Sequence, residues 1–276
     1  MGERGLYKYC AMKLYTQTSG DGLDLVLVHG WGLHGGIWEY LLPYLQPAFR
    51  ITRVDLPGHG RSVWNDEASL ADMAAAVLSV VPQQADWLGW SLGSLVATQA
   101  ALTAPARIGQ LVLLAGTPSF VRRPDWSAAM QPGLLDTFAT DLQQDYAATL
   151  NRFLSLQVHG SEHAGAVLRE LRACLLEHGE PNSGALAAGL NILRSTDLRA
   201  RLPQLEQRVL FLMGARDTLV PAAAGQQAAQ LVAAGQCRVI DGAGHAPFIA
   251  RPEAVASAIR EFLLDTNAQT AGEGRA

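Results

Sequence analysis

Leu88-Gly89-Trp90-Ser91-Leu92-Gly93 carries the pattern Gly-x-Ser-x-Gly, set between a short apolar run (85–88) and a stretch of helical character (92–102). A strand that turns abruptly into a helix strains its backbone and brings strand and helix close together, so glycines are needed on both flanks. Such a turn lifts the serine Oγ to the top of a sheet and aims it at a cleft. Ser91 is therefore the candidate nucleophile. A serine hydroxyl needs an adjacent base at neutral pH, and with this turn the partners follow in a set chain order, an acid and then a histidine.

Outward from the turn, short apolar runs alternate with helical patterns. Strands are expected at 25–28, 51–54, 85–88, 111–114, 209–213 and 238–240, and helices at 38–45, 70–80, 92–102, 222–232 and 252–264. Most of the strand runs are continuously apolar, as parallel strands covered on both faces should be. The alternation predicts an α/β fold, a mostly parallel sheet with helices on both faces. Ligands of such sheets bind beyond the carboxyl ends of the strands. The rhythm breaks over 119–202, which has helical periodicity (138–156, 164–177, 185–193) and no convincing strand. The expected organisation is a core of 1–118 and 203–276 with an inserted helical cap, 119–202, over the cleft.

The strand at 209–213 runs into Gly214-Ala215-Arg216-Asp217, and the next into Asp241-Gly242-Ala243-Gly244-His245. Asp217 and His245 thus occupy two further strand-end loops in the required order, as acid and base. Asp241 is a poorer acid, because four residues from His245 in one loop it is badly placed to brace the far ring nitrogen. An oxyanion needs two donors. The N–H of Leu92 is one candidate. The N–H of Trp31, in the loop His29-Gly30-Trp31-Gly32 after the first core strand, is the other, with its indole walling the acyl pocket. Gly30 is expected to permit the turn and His29 to hold the loop. Asp55-Leu56-Pro57-Gly58-His59-Gly60-Arg61-Ser62 lacks phosphate-loop spacing and reads as a structural turn.

Composition sets bounds. The 276 residues suffice for a full core with an insertion. A net charge of −4 gives no global case for nucleic acid or an anionic membrane. Cys10, Cys174 and Cys237 are odd in number and far apart, which fits a reducing compartment. Residues 1–11 lack the apolar core of a secretory signal, and no run approaches the ~20 apolar residues of a membrane span. The expectation is a cytoplasmic monomer that needs no metal or organic cofactor, with a tail from 266 to 276 that frays.

Ser91, Asp217 and His245, with His29-Gly30-Trp31 and the 55–62 loop, resemble the α/β-hydrolase superfamily over nearly the whole chain. His29-Gly30-Trp31-Gly32-Leu33, the Trp-containing serine turn, Arg152-Phe153-Leu154-Ser155-Leu156-Gln157 and His245-Ala246-Pro247-Phe248-Ile249 are similar, more narrowly, to the esterases that act on pimeloyl-[acyl-carrier protein] methyl ester in biotin synthesis. The resemblance implies a serine carboxylesterase that removes the methyl group. It implies an acyl channel lined by Phe153, Leu154, Ser155, Leu156 and Gln157, with Trp31, Ser91, Leu92 and His245 also touching substrate. It further implies an acidic acyl-carrier protein with its phosphopantetheine as partner, met by Arg152 and Arg169, to which Arg172 adds one turn further along the same face. The match is not clean, because 122–201 holds eight Arg against nine Asp and Glu. The residues alone leave open a broad small-ester esterase, a C–C bond hydrolase, or a non-catalytic receptor on the same scaffold. An epoxide hydrolase or dehalogenase would carry Asp at position 91.

Overall fold

The computed structural model describes residues 13–64 and 68–265. The expectations for segment 1–11, for Cys10 and for the tail at 266–276 lie outside the described residues. Seven strands form one sheet in the order β1 (Thr16–Ser19), β3 (Phe49–Val54), β2 (Leu23–Val28), β4 (Ala85–Trp90), β5 (Ile108–Leu114), β6 (Val209–Gly214) and β7 (Gly235–Ile240). All pairings are parallel except β1 with β3. Consecutive side chains of β2 (Leu25 to Val28) and β6 (Val209 to Met213) are all fully buried, so both faces of the sheet are covered. β1 has no counterpart among the expected strands, since Thr16-Gln17-Thr18-Ser19 is polar and lies at the sheet edge, where no apolar run is demanded.

The helices are α1 (Leu42–Leu45), α2 (Leu70–Val80), α3 (Leu92–Thr103), α4 (Pro132–Gln144), α5 (Tyr146–Val158), α6 (Ala164–Glu177), α7 (Ser183–Ser195), α8 (Ala222–Ala229), α9 (Pro247–Ala250) and α10 (Pro252–Leu263). α2 starts on a capping box in which Ser69 and Asp72 exchange side-chain and backbone bonds. Two expected helices are broken, each for a local reason. The stretch 38–45 splits into a 3-10 helix (Gly35–Tyr40) and α1, because Pro43 has no N–H for a continuous helix and its ring would strike the carbonyl of Glu39. The stretch 138–156 splits at Asp145, which turns extended and accepts the N–H of Ala148 at 2.9 Å, capping α5.

α4 to α7 lie between β5 and β6. Among the described residues no helix is long and apolar enough to cross a membrane, and Cys174 and Cys237 are free thiols. The strand order reverses around β2: the chain steps to β3 on one side and returns to β4 on the other. Val28 pairs with Gly89 across β2 and β4, so the loops leaving these two strands start side by side. That is where an open parallel sheet forms its crevice.

At the amino end of β4, Asp86 accepts the N–H of Gln110 at 2.6 Å. Burial pushes its carboxyl up to about 6, against the pull of that bond and of Arg208. A carboxyl raised in the folded state favours folding most below its unfolded pKa, and that contribution is lost as pH rises through about 6. Asp86→Asn keeps the acceptor and cannot ionise. Urea unfolding should show it about 1–3 kcal/mol more stable than the native chain at pH 8, with the gap closing below about pH 4. A gap independent of pH would contradict the argument.

Candidate active site

β4 ends at Trp90 and α3 begins at Leu92, so Ser91 alone makes the turn. Its φ of 53° and ψ of −116° lie in a region that L residues avoid. The flanking glycines tolerate the resulting crowding. A Cβ on Gly93 would overlap the carbonyl oxygen of Val28 in β2, and a Cβ on Gly89 would overlap the carbonyl oxygen of Gly93. Strand, turn and helix are thus pressed against the neighbouring strand, as the sequence pattern required. Ser94 Oγ donates to the carbonyl of Ser91 at 2.6 Å and tightens the first turn of α3.

Three strand-end loops meet over this turn. His245, after β7, has Nε2 2.8 Å from Ser91 Oγ and Nδ1 2.7 Å from Asp217 Oδ2, and Asp217 follows β6. All three residues are buried. The other oxygen of Asp217 accepts the N–H groups of Leu219 and Val220, each at 2.9 Å. With both oxygens occupied, the carboxylate is fixed as an acceptor. Nδ1 of His245 therefore carries the proton, and Nε2 is free to take one from Ser91. Asp241 is exposed and takes no part.

The loop after β2 lies alongside. His29 Nε2 accepts the N–H of Leu56 at 2.8 Å while Nδ1 donates to the carbonyl of Gly30 at 2.8 Å, so the ring ties this loop to the one after β3. Burial, with His59 5.4 Å away, lowers His29 to about 3, so the imidazole stays neutral as this tautomer needs. The positive φ of the loop belongs to Gly32 (76°), not to Gly30. What Gly30 supplies is close approach: a Cβ there would lie 3.0 Å from the Trp90 ring and 3.3 Å from Ser91 Cβ. Leu92 is the first residue of α3, so its N–H has no acceptor within the helix.

Trp31 is buried, and its indole N–H donates to the carbonyl of Leu186 in α7 at 2.8 Å. Its ring meets Phe153 of α5 edge-on at 4.8 Å, and Phe153 meets Phe138 of α4 at 5.5 Å. α7 can approach because residue 189 is glycine: a Cβ there would lie 2.5 Å from Trp31 Cδ1. Phe153, Leu154 and Gln157 are buried together on α5, and Leu156 is half-buried. Ser155 departs from the expected channel. It is exposed, and its Oγ donates to the carbonyl of Asn151 in its own helix. Residues 153, 154 and 157 share one helical face, and 155 falls on the other.

The three arginines stand on exposed helix surface. Arg152 pairs with Asp141 at 2.8 Å and covers the Phe138 ring. Arg172 donates to Asn151, the residue beside Arg152, at 3.0 Å. One trio among the described residues has metal-ligand spacing, His34, Cys174 and Glu177. His34 Nδ1 accepts the N–H of Gly36, so Nε2 carries the hydrogen it gives to the Cys174 carbonyl at 2.7 Å and offers no lone pair. Burial also pushes the Cys174 thiol up to about 12. The trio therefore fits a structural contact between the Gly35–Tyr40 turn and α6 and does not fit a metal.

The chain resembles known proteins over most of its length. The model of the alpha/beta hydrolase fold family matches residues 25–252. A pimeloyl-[acyl-carrier protein] methyl ester esterase of Methylococcus capsulatus is 45% identical over 255 residues, covering 92% of this chain and 100% of that protein. One of Photobacterium profundum is 43% identical, covering 91% and 98%. Among solved structures, a hydrolase from Pseudomonas aeruginosa superposes with a TM-score of 0.78 at 29% identity, covering 91% of this chain and 94% of that one. An esterase from Exiguobacterium antarcticum gives 0.83 at 22% identity, covering 92% and 96%, which is a likeness of fold.

The crowding at the turn has a measurable consequence. Gly93→Ala drives a methyl group into the Val28 carbonyl, and the expected loss of stability is about 3 kcal/mol or more. Thermal unfolding reads it directly; an unchanged midpoint would contradict the close approach.

Proposed function

Because the chain belongs to the alpha/beta hydrolase family, and within it to the pimeloyl-[acyl-carrier protein] methyl ester esterases, we propose how its residues carry out that hydrolysis. The enzyme is a carboxylic ester hydrolase whose substrate is the methyl ester of a carrier-bound pimeloyl chain. The observation that carries the mechanism is the unbroken line from Ser91 Oγ through His245 to Asp217, 2.8 Å and 2.7 Å long.

His245 Nε2 takes the proton of Ser91 as Oγ attacks the ester carbonyl carbon. Asp217 stabilises the imidazolium and keeps the ring in its tautomer. The N–H groups of Trp31 and Leu92 receive the developing oxyanion; loss of one such donor typically costs about 10²–10³ in kcat. His245 returns the proton to the methoxy oxygen and methanol leaves. A water deprotonated by the same nitrogen then attacks the acyl carbon, and His245 passes that proton to Ser91 Oγ as the acyl bond breaks, freeing the pimeloyl carboxylate. Apart from the substrate and that water, each step is assigned to side chains and backbone of this protein. The waiting acyl chain would lie along Trp31, Phe153, Leu154, Leu156 and Gln157, beneath a cap spanning 119–202.

The proposed partner is the acyl-carrier protein, and the cytoplasmic, monomeric state belongs to the same proposal. Arg169 is exposed and has no carboxylate partner among the described residues, which supports it as a docking charge. The Arg172–Asn151 bond sets Arg172 beside Arg152, so the patch has two further members, although Arg152 is already partly neutralised by Asp141.

Ser91→Ala should lower kcat by about 10⁴–10⁶ with the fold intact by circular dichroism, and a fluorophosphonate probe should label the native chain but not this variant. Near-native turnover in the variant would sink the mechanism. Arg169→Glu should lower kcat/KM about tenfold for pimeloyl-carrier methyl ester and leave dimethyl pimelate and short p-nitrophenyl esters unchanged. Equal losses on all three would point to a damaged fold instead of lost docking.

A further inference from the structure

The catalytic line fixes the side chain of His245, yet a base on a loop must also be held by its backbone. The structure shows both of its backbone groups engaged. The His245 N–H donates to the carbonyl of Gln157 at 3.0 Å. That carbonyl lies in the last turn of α5, where acceptors lack helical partners. The His245 carbonyl accepts the indole N–H of Trp90 at 2.7 Å, with both residues buried. Trp90 is the residue immediately before the nucleophile, 155 positions from the histidine it grips.

The Trp90 ring makes two further contacts that matter here. The ring lies against the loop after β2, since a Cβ on Gly30 would lie 3.0 Å from Cε3. It also packs in a T-shaped contact with Phe248, three residues past His245, at 5.0 Å and 75°. One rigid bicyclic side chain therefore touches the loop of the oxyanion donor, adjoins the nucleophile and holds the base. We propose that Trp90 is a positioning residue for the reaction: its indole N–H, through the His245 carbonyl, sets the distance at which Nε2 meets Ser91 Oγ. This rests on His245 being the base.

Trp87, in the same strand, provides the contrast. It is as fully buried as Trp90, but among the described residues its indole N–H has no partner. Trp87→Phe and Trp90→Phe remove similar volumes from the core, and Trp90→Phe alone removes a hydrogen bond to the base. A packing role would make the two variants alike. A positioning role separates them, and it acts on kcat more than on KM, because the misplaced group is needed in the transition state.

The test compares Ser91→Ala, Trp87→Phe and Trp90→Phe in the full chain, with dimethyl pimelate as substrate and the fluorophosphonate labelling rate as a measure of Ser91 activation. Trp90→Phe is expected to lower kcat and the labelling rate together by about 10–100-fold, with KM within about twofold of native. Trp87→Phe is expected to keep both rates. Native-like kcat in Trp90→Phe, or the same loss in Trp87→Phe, overturns the proposal. Should Trp90→Phe not fold, β-(3-benzothienyl)alanine inserted at position 90 keeps the bicycle and deletes only the N–H; full activity in that protein overturns it equally. Activity surviving in Ser91→Ala would instead refute the underlying mechanism.

Discussion

At Ser91 the backbone adopts φ 53° and ψ −116°, and the surrounding packing maintains it. Residues held in such regions cost on the order of 1–3 kcal/mol and persist only where neighbours over-determine them. Here the neighbours are the Val28 and Gly93 carbonyl oxygens, against which only glycines at 93 and 89 fit. The strain aims the hydroxyl away from the sheet. The close contact with β2 brings the loop carrying Trp31 to its side. Removal of either glycine would disturb both the direction of Ser91 and the position of the Trp31 loop.

The remaining groups are held at this turn by bonds within their own loop and by cross-links between loops distant in sequence. His29 bonds to Leu56, Asp217 to Leu219 and Val220, and Trp90 to His245. These bonds are buried, where the local dielectric is low and an unmet partner is expensive. Each therefore fixes one tautomer or one rotamer. His29 illustrates the point: burial keeps it neutral, and neutrality allows one nitrogen to accept while the other donates.

Helices from the 132–195 stretch take part in the same wiring. α5 receives the His245 N–H through Gln157 and α7 receives the Trp31 indole through Leu186, while Glu162, in the connection between α5 and α6, bridges Arg216 and Arg251 next to the loops of Asp217 and His245. The 132–195 stretch consequently contacts the loops of His245, Trp31 and Asp217 at once. A motion of α5 or α7 would be felt at the reacting atoms.

The amino-acid sequence by itself determined the parallel sheet, the serine turn and the order serine, acid, histidine. Each is written in local signals: continuous apolar runs, glycines flanking a serine, loops following strands. It also showed a tryptophan before the serine without saying what it does. Only the tertiary structure decided that its N–H meets a carbonyl 155 residues away, that Gly32 and not Gly30 takes the positive φ, and that Ser155 turns outward. The edge strand β1 and the helix break at Asp145 escaped for the same reason. A polar edge and a single capping side chain leave no periodic trace, because their energies come from a partner strand or one hydrogen bond, and apolar spacing records only which faces are buried.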